Sequence, residues 1–372
     1  MHASRKYVTC HCAPPVAGFP PTMRLGLGLY RHHLDTEHFR FAKQCGCTDV
    51  VVHLVDYFRS PKNDAGDQPV GDDAGWGIAG GSDEYWTKEW LSGLRERVEA
   101  EGLRIAAIEN FDPAHWHDVL LDGPKKAEQL EHLKQIIRNI GAAGIPVMGY
   151  NFSIAGVAGR VKGPYARGNA ESVGMDGPYD IPMRNGMVWN MVYDEDAAPG
   201  IIPSATHEQL WQRLKDFLDA ILPVAEEAGV IMAAHPDDPP MPFVRSQPRL
   251  VYQPSMYQKL LELHPSPSNQ LEFCVGSLAE MTEGEIHDVV EQYAATKRLA
   301  YVHLRNVRDK VPYYKETFID DGEVDVLRVL NILKKHNFQG VIIPDHAPAM
   351  SCPAPWHAGM AFALGFLKAG MK

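Results

Sequence analysis

The amino-acid sequence predicts a single closed (β/α)8 barrel, the TIM-barrel fold. Short apolar runs rich in β-branched residues alternate with amphipathic helical stretches eight times along the chain. The predicted strands are apolar throughout, as parallel strands buried on both faces are. The 372 residues exceed the roughly 250 that a typical barrel needs, which leaves room for insertions. The alternative is an open doubly wound sheet, but its glycine-rich loop is missing, because Gly26 and Gly28 have no third glycine in register.

Four predicted strands lie in the first half of the chain. The second of them, TDVVVHLVDY, has the clearest β-branched apolar run. The helix before the third strand carries Trp90, Leu94 and Val98 on one face, and the helix before the fourth ends in a glycine, a typical C-cap residue. The strands are predicted at Met23–Tyr30, Thr48–Tyr57, Leu103–Asn110 and Ile145–Phe152, and the helices at Asp35–Gly46, Thr87–Gly102 and Lys125–Gly144.

The second half repeats this alternation. It opens with the predicted helix His207–Gly229, whose apolar stripe includes Leu210, Leu214, Phe217 and Ile221. The remaining strands are predicted at Val230–Asp238, Leu271–Ser277, Leu299–Val307 and Val341–Ala347, and the remaining helices at Ser255–His264, Glu283–Arg298, Glu323–Asn337 and Trp356–Met371. Eight strands and eight helices in this order predict a closed barrel.

We interpret residues 1–22 as an N-terminal arm and residues 23–372 as one barrel domain. Two connections, at about 58–84 and 153–205, are longer than barrel loops usually are. They follow the second and fourth strands, so both are expected at the C-terminal rim, where barrel enzymes hold their chemistry. The second insertion carries Arg160 and Trp189, and we expect it to cover the barrel mouth and contribute an aromatic or arginine group to a pocket. The alternative is a decoration or a contact between subunits.

Composition restricts the function classes. The 36 Lys and Arg residues against 47 Asp and Glu residues give a net charge of −11, which opposes nucleic-acid binding. No run of about 18 uncharged apolar residues predicts a membrane span, and no apolar segment follows Arg5 and Lys6 as in a secretory signal. The six cysteines are too sparse for a disulfide scaffold. We expect a homo-oligomeric protein of the reducing cytoplasm that acts on a small molecule.

Four consecutive strands, the fifth to the eighth, end in side chains that can bind a metal. These are His235 in AAHPDDPP, Cys274 in LEFCVGS, His303 in YVHLRN and Asp345 in IIPDHAP. Neighbouring strands lie about 4.8 Å apart, so four such ligands around a curved barrel can converge on one ion. The mixed nitrogen, sulfur and oxygen donors suit Mn²⁺, Zn²⁺, Co²⁺ or Fe²⁺.

Several segments resemble the mannonate dehydratase family: LKQIIRNIGAAGIPVMGYNF, AHPDDPP, EFCVGS, HLRN, the stretch Asp321–Asp325, and PDHA. The resemblance runs from about Trp90 to the C-terminus. It implies a (β/α)8 barrel that dehydrates D-mannonate to 2-keto-3-deoxy-D-gluconate with a divalent ion, usually Mn²⁺, with Co²⁺, Zn²⁺, Fe²⁺ and Mg²⁺ as alternatives. It also implies that the ligands are His235, Cys274, His303 and Asp345, the four residues reached above.

Dehydration of a sugar acid needs a base for the C2 proton and an acid for the departing C3 hydroxyl. His346 resembles the acid/base histidine of the family, although it could instead orient Asp345. Arg305 follows His303 by two residues, on the same strand face, and is expected to hold the substrate carboxylate or the leaving hydroxyl. The alternative for Arg305 is an ion pair at the barrel rim.

Substrate binding is assigned to Asn151, Glu109, Asp237 and Arg160. Asn151 and Glu109 end the fourth and third strands, where they can contact substrate hydroxyls or merely satisfy backbone groups. Asp237 can instead support the metal ligands or cap the next turn.

The stretch YYKETFIDDG departs from the family pattern. With Glu316 in register, Lys315 and Ile319 occupy the positions where the family has Tyr or His and a later His. Tyr314, beside Tyr313, is the predicted replacement for the missing acid. The Trp- and Arg-bearing motif after YNF is also replaced, by SIAGVAGRVKG. The metal site is therefore retained more completely than the groups that bind the substrate.

Metal-dependent dehydration of a sugar acid is the function that these residues favour. The alternative is a metal-dependent sugar isomerase, an epimerase or a keto-sugar β-eliminating lyase on the same barrel, since all begin with proton abstraction next to a carbonyl or carboxylate. A non-catalytic binding barrel would not need His346 and Arg305. A phosphodiester-cleaving barrel with three zinc ions would need more ligands than the sequence offers.

Overall fold

The computed structural model of the protein describes residues 23–59, 68–71 and 74–372. The N-terminal arm predicted at 1–22 and parts of the first insertion lie outside the described residues. Within the described part of the chain, no helix has the length and apolar character needed to cross a bilayer.

Eight parallel strands form a closed barrel, which confirms the predicted fold and excludes the open sheet. Each strand pairs with the next in the sequence, and the last pairs with the first. The register places Cys274 directly beside His303, and His303 beside Ile343. The strands are β1 Arg24–Leu29, β2 Asp49–His53, β3 Arg104–Glu109, β4 Val147–Tyr150, β5 Ile231–Ala234, β6 Asn269–Cys274, β7 Leu299–His303 and β8 Val341–Ile343.

Ten α-helices surround the barrel in the described residues, and local sequence signals set their ends. Asp35 caps the first helix by accepting a hydrogen bond from the His38 amide, and Thr206 and Gln209 form a capping box at the fifth. The helices are α1 Thr36–Gln44, α2 Lys88–Ala100, α3 His117–Leu121, α4 Lys126–Ala142, α5 His207–Ala228, α6 Ser255–Leu263, α7 Val275–Glu280, α8 Ile286–Thr296, α9 Val326–Lys335 and α10 Pro355–Gly370.

The strands end earlier than the sequence predicts. β5 stops at Ala234, before Pro236, and β8 stops at Ile343, before Pro344, because proline has no amide hydrogen to donate to the ladder. β6 stops at Cys274, whose sulfur accepts a hydrogen bond from the Ser277 amide and caps α7. Helices α3 and α7 were not predicted, because five or six residues are too few to display a helical period. The early ends place polar side chains at the barrel mouth.

The second insertion packs onto the barrel instead of forming a separate domain. Its hairpin, Arg160–Ala166 with Ala170–Met175, joins Lys315–Thr317 and Asn306–Arg308 from the loop after β7 in a four-stranded antiparallel sheet. Farther along the insertion, the Trp189 indole packs against Tyr57 and Trp76 and donates a hydrogen bond to the Asn151 carbonyl. This insertion is therefore anchored to the loops after β2, β4 and β7.

The barrel interior is filled below the mouth. A small apolar cluster that includes Val51, Ala107 and Tyr301 closes the floor, while the main core lies between strands and helices. Gly149 leaves room for this filling, because a Cβ atom there would lie 2.2 Å from the Tyr301 hydroxyl and 2.5 Å from Glu272 Oε2. The packed floor gives the side chains at the strand ends a rigid support.

Candidate active site

A cavity that is partly open to solvent occupies the C-terminal mouth of the barrel. Both insertions and seven of the eight strands, or the residues next to them, contribute to its wall. The lining residues are Gly28, Tyr30, His53, Tyr57, Pro69, Trp76, Glu109, Asn110, Asn151, Val157, Arg160, Trp189, His235, Asp238, His303, Ile343, Asp345, His346, Trp356 and Met360.

The four predicted metal ligands lie together at the base of this cavity. One donor atom from each of His235, Cys274 and His303 lies within 4.8 Å of the other two. Asp345 adds a carboxylate, with Oδ2 3.8 Å from the Cys274 sulfur and Oδ1 3.6 Å from His303 Nδ1. Cys274 and His303 are the last residues of β6 and β7, and the other two follow β5 and β8 by one and two residues.

Hydrogen bonding orients the two imidazole rings. Nδ1 of His235 lies 2.6 Å from the Pro236 carbonyl, which can only accept, so Nδ1 carries a proton and Nε2 is the nitrogen left to face the cluster. In His303, Nδ1 faces Asp345, while Nε2 lies 3.4 Å from Glu109 and 3.3 Å from Glu272. Neither ring nitrogen of His303 makes a hydrogen bond, although both are buried. Carboxylates behind a ligating histidine are a common feature of metal sites.

The cluster strongly attracts positive charge. Burial opposes protonation of His235, but Glu272 and Cys274 outweigh it and raise the pKa of His235 to about 10. Burial also opposes protonation of His303, but Glu109 and Asp345 raise its pKa well above the usual range. For the Cys274 thiol, burial and Asp345 oppose ionisation, while Arg305, His235 and His303 outweigh them and lower the pKa to about 6.

These observations fit a divalent ion. The donors comprise two imidazoles, a thiol that ionises readily and a carboxylate, all buried or half-buried. The imidazoles hold protons tightly among the surrounding anions, and a divalent cation competes with those protons for the same atoms. Metal binding by one nitrogen of His303 would also account for the absence of hydrogen bonds at this buried ring.

Two further carboxylates lie below and beside His303. Burial and the neighbouring Glu109 raise the pKa of Glu272 above its usual range. Burial opposes ionisation of Glu109, but His53 and His303 outweigh it and lower its pKa to about 2. Glu109, one of the predicted substrate-binding residues, lines the cavity as an anion, and its Oε2 makes no hydrogen bond.

Arg305 corrects a sequence prediction, because its guanidinium faces protein carboxylates and does not line the cavity. It is 1% exposed. Nη1 donates to Glu316 at 2.7 Å, and Nη2 donates to Glu280 at 2.8 Å and to Asp238 at 3.1 Å. These bonds leave neither Nη group for a substrate carboxylate. The ion-pair alternative is the correct one, and Arg305 positions acidic groups around the cavity.

Asp237 and Tyr314 also lie behind the cavity wall. The Asp237 carboxylate accepts hydrogen bonds from Arg249 Nε at 2.7 Å and from the backbone amides of Leu250 and Val251. It therefore supports a turn, and the expectation that it binds substrate is wrong. Its neighbour Asp238 lines the cavity instead.

Tyr314 is fully buried, and its hydroxyl donates to Asp238 at 3.4 Å. Burial raises the pKa of Tyr314 well above the usual range. The phenol therefore lacks the exposure that a direct acid requires, which corrects its predicted catalytic role. Neither position that departs from the family pattern lines the cavity: Lys315 is exposed and Ile319 is buried.

His346 lines the cavity between two carboxylates. Its Nδ1 lies 3.3 Å from Glu316 Oε2, and its Nε2 lies 3.3 Å from Asp345 Oδ1. Burial opposes ionisation of Glu316, but Arg305 and His346 outweigh it and lower the pKa of Glu316. A carboxylate behind an imidazole fixes the orientation of the ring. The placement therefore suits a proton-transfer group.

The second insertion contributes the aromatic and arginine groups that its composition predicts. Trp189 and Arg160 both line the cavity. Arg160 Nη1 lies 3.8 Å from Glu316 Oε1, and its buried Nε makes no hydrogen bond. Asn151 lines the cavity too, with its amide nitrogen donating to the Pro236 carbonyl and its Oδ1 unpaired. Arg160 and Asn151 are therefore available to a ligand.

His53, Trp76 and Asp238 are among the wall residues that the sequence did not predict. His53 ends β2 and lies 3.7 Å from Glu109, so the rule that identified the metal ligands, a polar residue at a strand end, applies to it equally. Trp76 lies in the first insertion and contacts Trp189 and Tyr57 across the mouth. No local pattern distinguishes it from other insertion residues.

Comparisons with known proteins agree with this geometry. The family model of D-mannonate dehydratase (UxuA) matches residues 76–171 and 203–361, more than half of the chain, and the gap falls within the second insertion. The chain is 32% identical to the mannonate dehydratase of Streptococcus pneumoniae (strain 70585) over 278 residues, which cover 71% of this chain and 75% of the relative. It is 28% identical to that of Oceanobacillus iheyensis over 300 residues, which cover 75% and 79%.

A solved structure extends the similarity to the fold. The crystal structure of mannonate dehydratase from Streptococcus suis serotype 2 superposes with a TM-score of 0.71 at 25% identity and covers 94% of both chains. The sequence match, the barrel and the cluster at its mouth lead to one conclusion: this chain belongs to the D-mannonate dehydratase family.

Proposed function

We propose that the protein is a metal-dependent hydro-lyase that converts D-mannonate, or an aldonate of closely similar shape, to the 2-keto-3-deoxy acid. The observation that carries the proposal is the convergence of His235, Cys274, His303 and Asp345 beside His346 in one cavity. Relatives of this chain at about 30% identity are named mannonate dehydratases. Their substrate is carried over here as part of the proposal.

The four clustered residues would hold the divalent ion, for which Mn²⁺ is the first candidate. When bound, such an ion acts as a Lewis acid that stabilises the negative charge developing on the substrate after the C2 proton leaves. Glu109 and Glu272 lie against His303 Nε2 and keep Nδ1 directed towards Asp345. The packed barrel floor excludes water from below.

His346 is the residue proposed to transfer protons at C2 or C3. It borders Asp345, so a substrate at the metal site lies within its reach. Glu316 lies behind Nδ1 and leaves Nε2 directed to the metal side of the cavity. Arg305 and Gln68 in turn hold Glu316 through hydrogen bonds of 2.7 Å and 2.6 Å. This chain of contacts fixes the imidazole before the substrate arrives.

Arg160 is proposed to hold the substrate carboxylate or a hydroxyl, the role that the sequence analysis gave to Arg305. Arg160→Met should raise KM by about 10- to 100-fold with little loss of bound metal, because a hydrogen bond to a charged group contributes about 1.5–3 kcal/mol. Steady-state kinetics and metal content measure the two effects. Arg167→Met is the matched control, since Arg167 lies on the same insertion but is exposed and paired with Asp320. Equal KM values for the two variants would contradict the role of Arg160.

A substrate screen tests the function. The purified protein is incubated with Mn²⁺ and a panel of C5 and C6 aldonates and keto-sugars, and both dehydration and isomerisation are measured. We expect a thiobarbituric acid signal for a 2-keto-3-deoxy acid with D-mannonate and little isomerisation of any keto-sugar. Isomerisation or epimerisation without that signal would favour the alternative metal-dependent sugar chemistry.

A further inference from the structure

A second group of potential metal ligands lies outside the barrel mouth. Asp83 belongs to the short 3-10 helix Asp83–Trp86 at the end of the first insertion, His115 ends the 3-10 helix Pro113–His115 after β3, and His132 lies on α4. One donor atom from each of the three lies within 4.8 Å of the other two. None of the three lines the cavity of the candidate active site.

The distances match the geometry of a bound zinc ion. His115 Nε2 lies 3.3 Å from Asp83 Oδ1, and His132 Nε2 lies 3.2 Å from the same oxygen. In a tetrahedral zinc site with bonds of about 2.0–2.1 Å, neighbouring donor atoms are about 3.3 Å apart. Two of the three donor–donor distances therefore match such a site before any ion binds, and the third is no longer than 4.8 Å.

The buried imidazole nitrogens of this cluster form no hydrogen bonds. His115 is 6% exposed, yet neither of its ring nitrogens makes a hydrogen bond. Nε2 of His132 is buried and also makes none. Buried polar atoms nearly always form hydrogen bonds, so two imidazole nitrogens that face one carboxylate oxygen without a hydrogen bond to it fit a bound cation. Two imidazoles and a carboxylate bind zinc well, and more tightly than they bind Mn²⁺ or Fe²⁺.

We propose that Asp83, His115 and His132 form a structural zinc site, with a water molecule as the fourth ligand on the exposed side of Asp83. The ion would tie the end of the first insertion to α4 and to the segment after β3. This insertion supplies Pro69 and Trp76 to the cavity wall, so the site would stabilise the rim without entering the chemistry. The proposal does not depend on the proposed function.

Zinc content tests the site. The full-length protein and its variants are stripped with a chelator, equilibrated with Zn²⁺ and a weak competing chelator, and analysed by mass spectrometry of the metal. His132→Ala should bind one zinc ion per chain fewer than the wild type, because His132 is half-buried on a helix that tolerates alanine. Zinc should raise the Tm of the wild type by about 2–4 °C more than that of the variant.

The matched control is His264→Ala, which removes a histidine that is bonded to Asp219 on another face. This control should bind as much zinc as the wild type. Asp83→Asn, at an exposed position that cannot unfold the core, should weaken binding of the same ion. Equal zinc content and equal Tm shifts in His132→Ala and the wild type would overturn the proposal, as would an equal loss in His264→Ala. Turnover with Mn²⁺ should stay near normal in His132→Ala.

Discussion

Replacing His303 by alanine is expected to remove the bound metal and lower kcat/KM by at least about 10³-fold. Metal stabilisation of charge in the transition state is worth several kcal/mol, and each 1.36 kcal/mol is tenfold in rate. The His303 ring also lies beside the carboxyl groups of Asp345, Glu109 and Glu272. Its removal therefore takes a cationic partner away from these acidic groups. Cys274→Ser should behave similarly, with a smaller loss of metal. Metal content and steady-state kinetics on the same preparations measure both effects.

Cys45→Ser is the matched control for the thiol, because Cys45 is half-buried at the C-terminal end of α1 and does not line the cavity. It should retain metal and turnover. A His303→Ala protein that folds, has lost its metal and still turns over at the wild-type rate would show that the cluster is not catalytic. Circular dichroism of each variant separates loss of metal from loss of fold.

His346→Ala is expected to lower kcat by about 10²- to 10⁴-fold while the metal stays bound, since a positioned acid or base contributes that much. We expect kcat to fall without loss of metal because His346 borders Asp345 but is not one of the clustered donors. Glu316→Gln should have a smaller effect in the same direction, because it removes the charge that holds Nδ1. Kinetics and metal analysis again give the two quantities separately.

His207→Ala, at a half-buried position at the start of α5 that does not line the cavity, is the control for the loss of a histidine. The alternative for His346 is that it merely orients Asp345. In that case His346→Ala would lose metal in proportion to activity, and excess metal would restore the rate. Full turnover of the variant at saturating metal would therefore end the acid/base assignment and leave His346 as a positioning residue.

The sequence predicted the barrel, and the clustering of His, Cys and Asp side chains at its mouth, because both depend on local patterns. Eight apolar strands in alternation with helices have few other ways to bury their surfaces. The ends of adjacent parallel strands meet at one edge, so residues such as His303 and Cys274 were expected together without any knowledge of the loops. The same reasoning applied to the end of β2 would have added His53.

The residues around the cluster were harder to predict, because their partners come from distant segments. The sequence suggested that Arg305 could bind substrate. Its guanidinium is instead hydrogen-bonded to Glu280, Glu316 and Asp238, which lie on segments after β6, β7 and β5. Asp237 and Asp238 are adjacent and chemically identical, and only the fold decides which of them faces the cavity. Arg160, on a hairpin without a barrel-like pattern, reaches the cavity because the second insertion pairs with the loop after β7.

The most direct test of the central claim follows D-mannonate by ¹³C NMR with metal-free protein and with the same protein after addition of Mn²⁺. We predict that the C3 hydroxyl carbon signal is replaced by a methylene signal, and that a C2 carbonyl appears, only when Mn²⁺ is present and His303 is intact. Retention of the C3 hydroxyl under both conditions, with D-mannonate unchanged or rearranged to an isomer, would contradict the assignment of this barrel as a sugar-acid dehydratase.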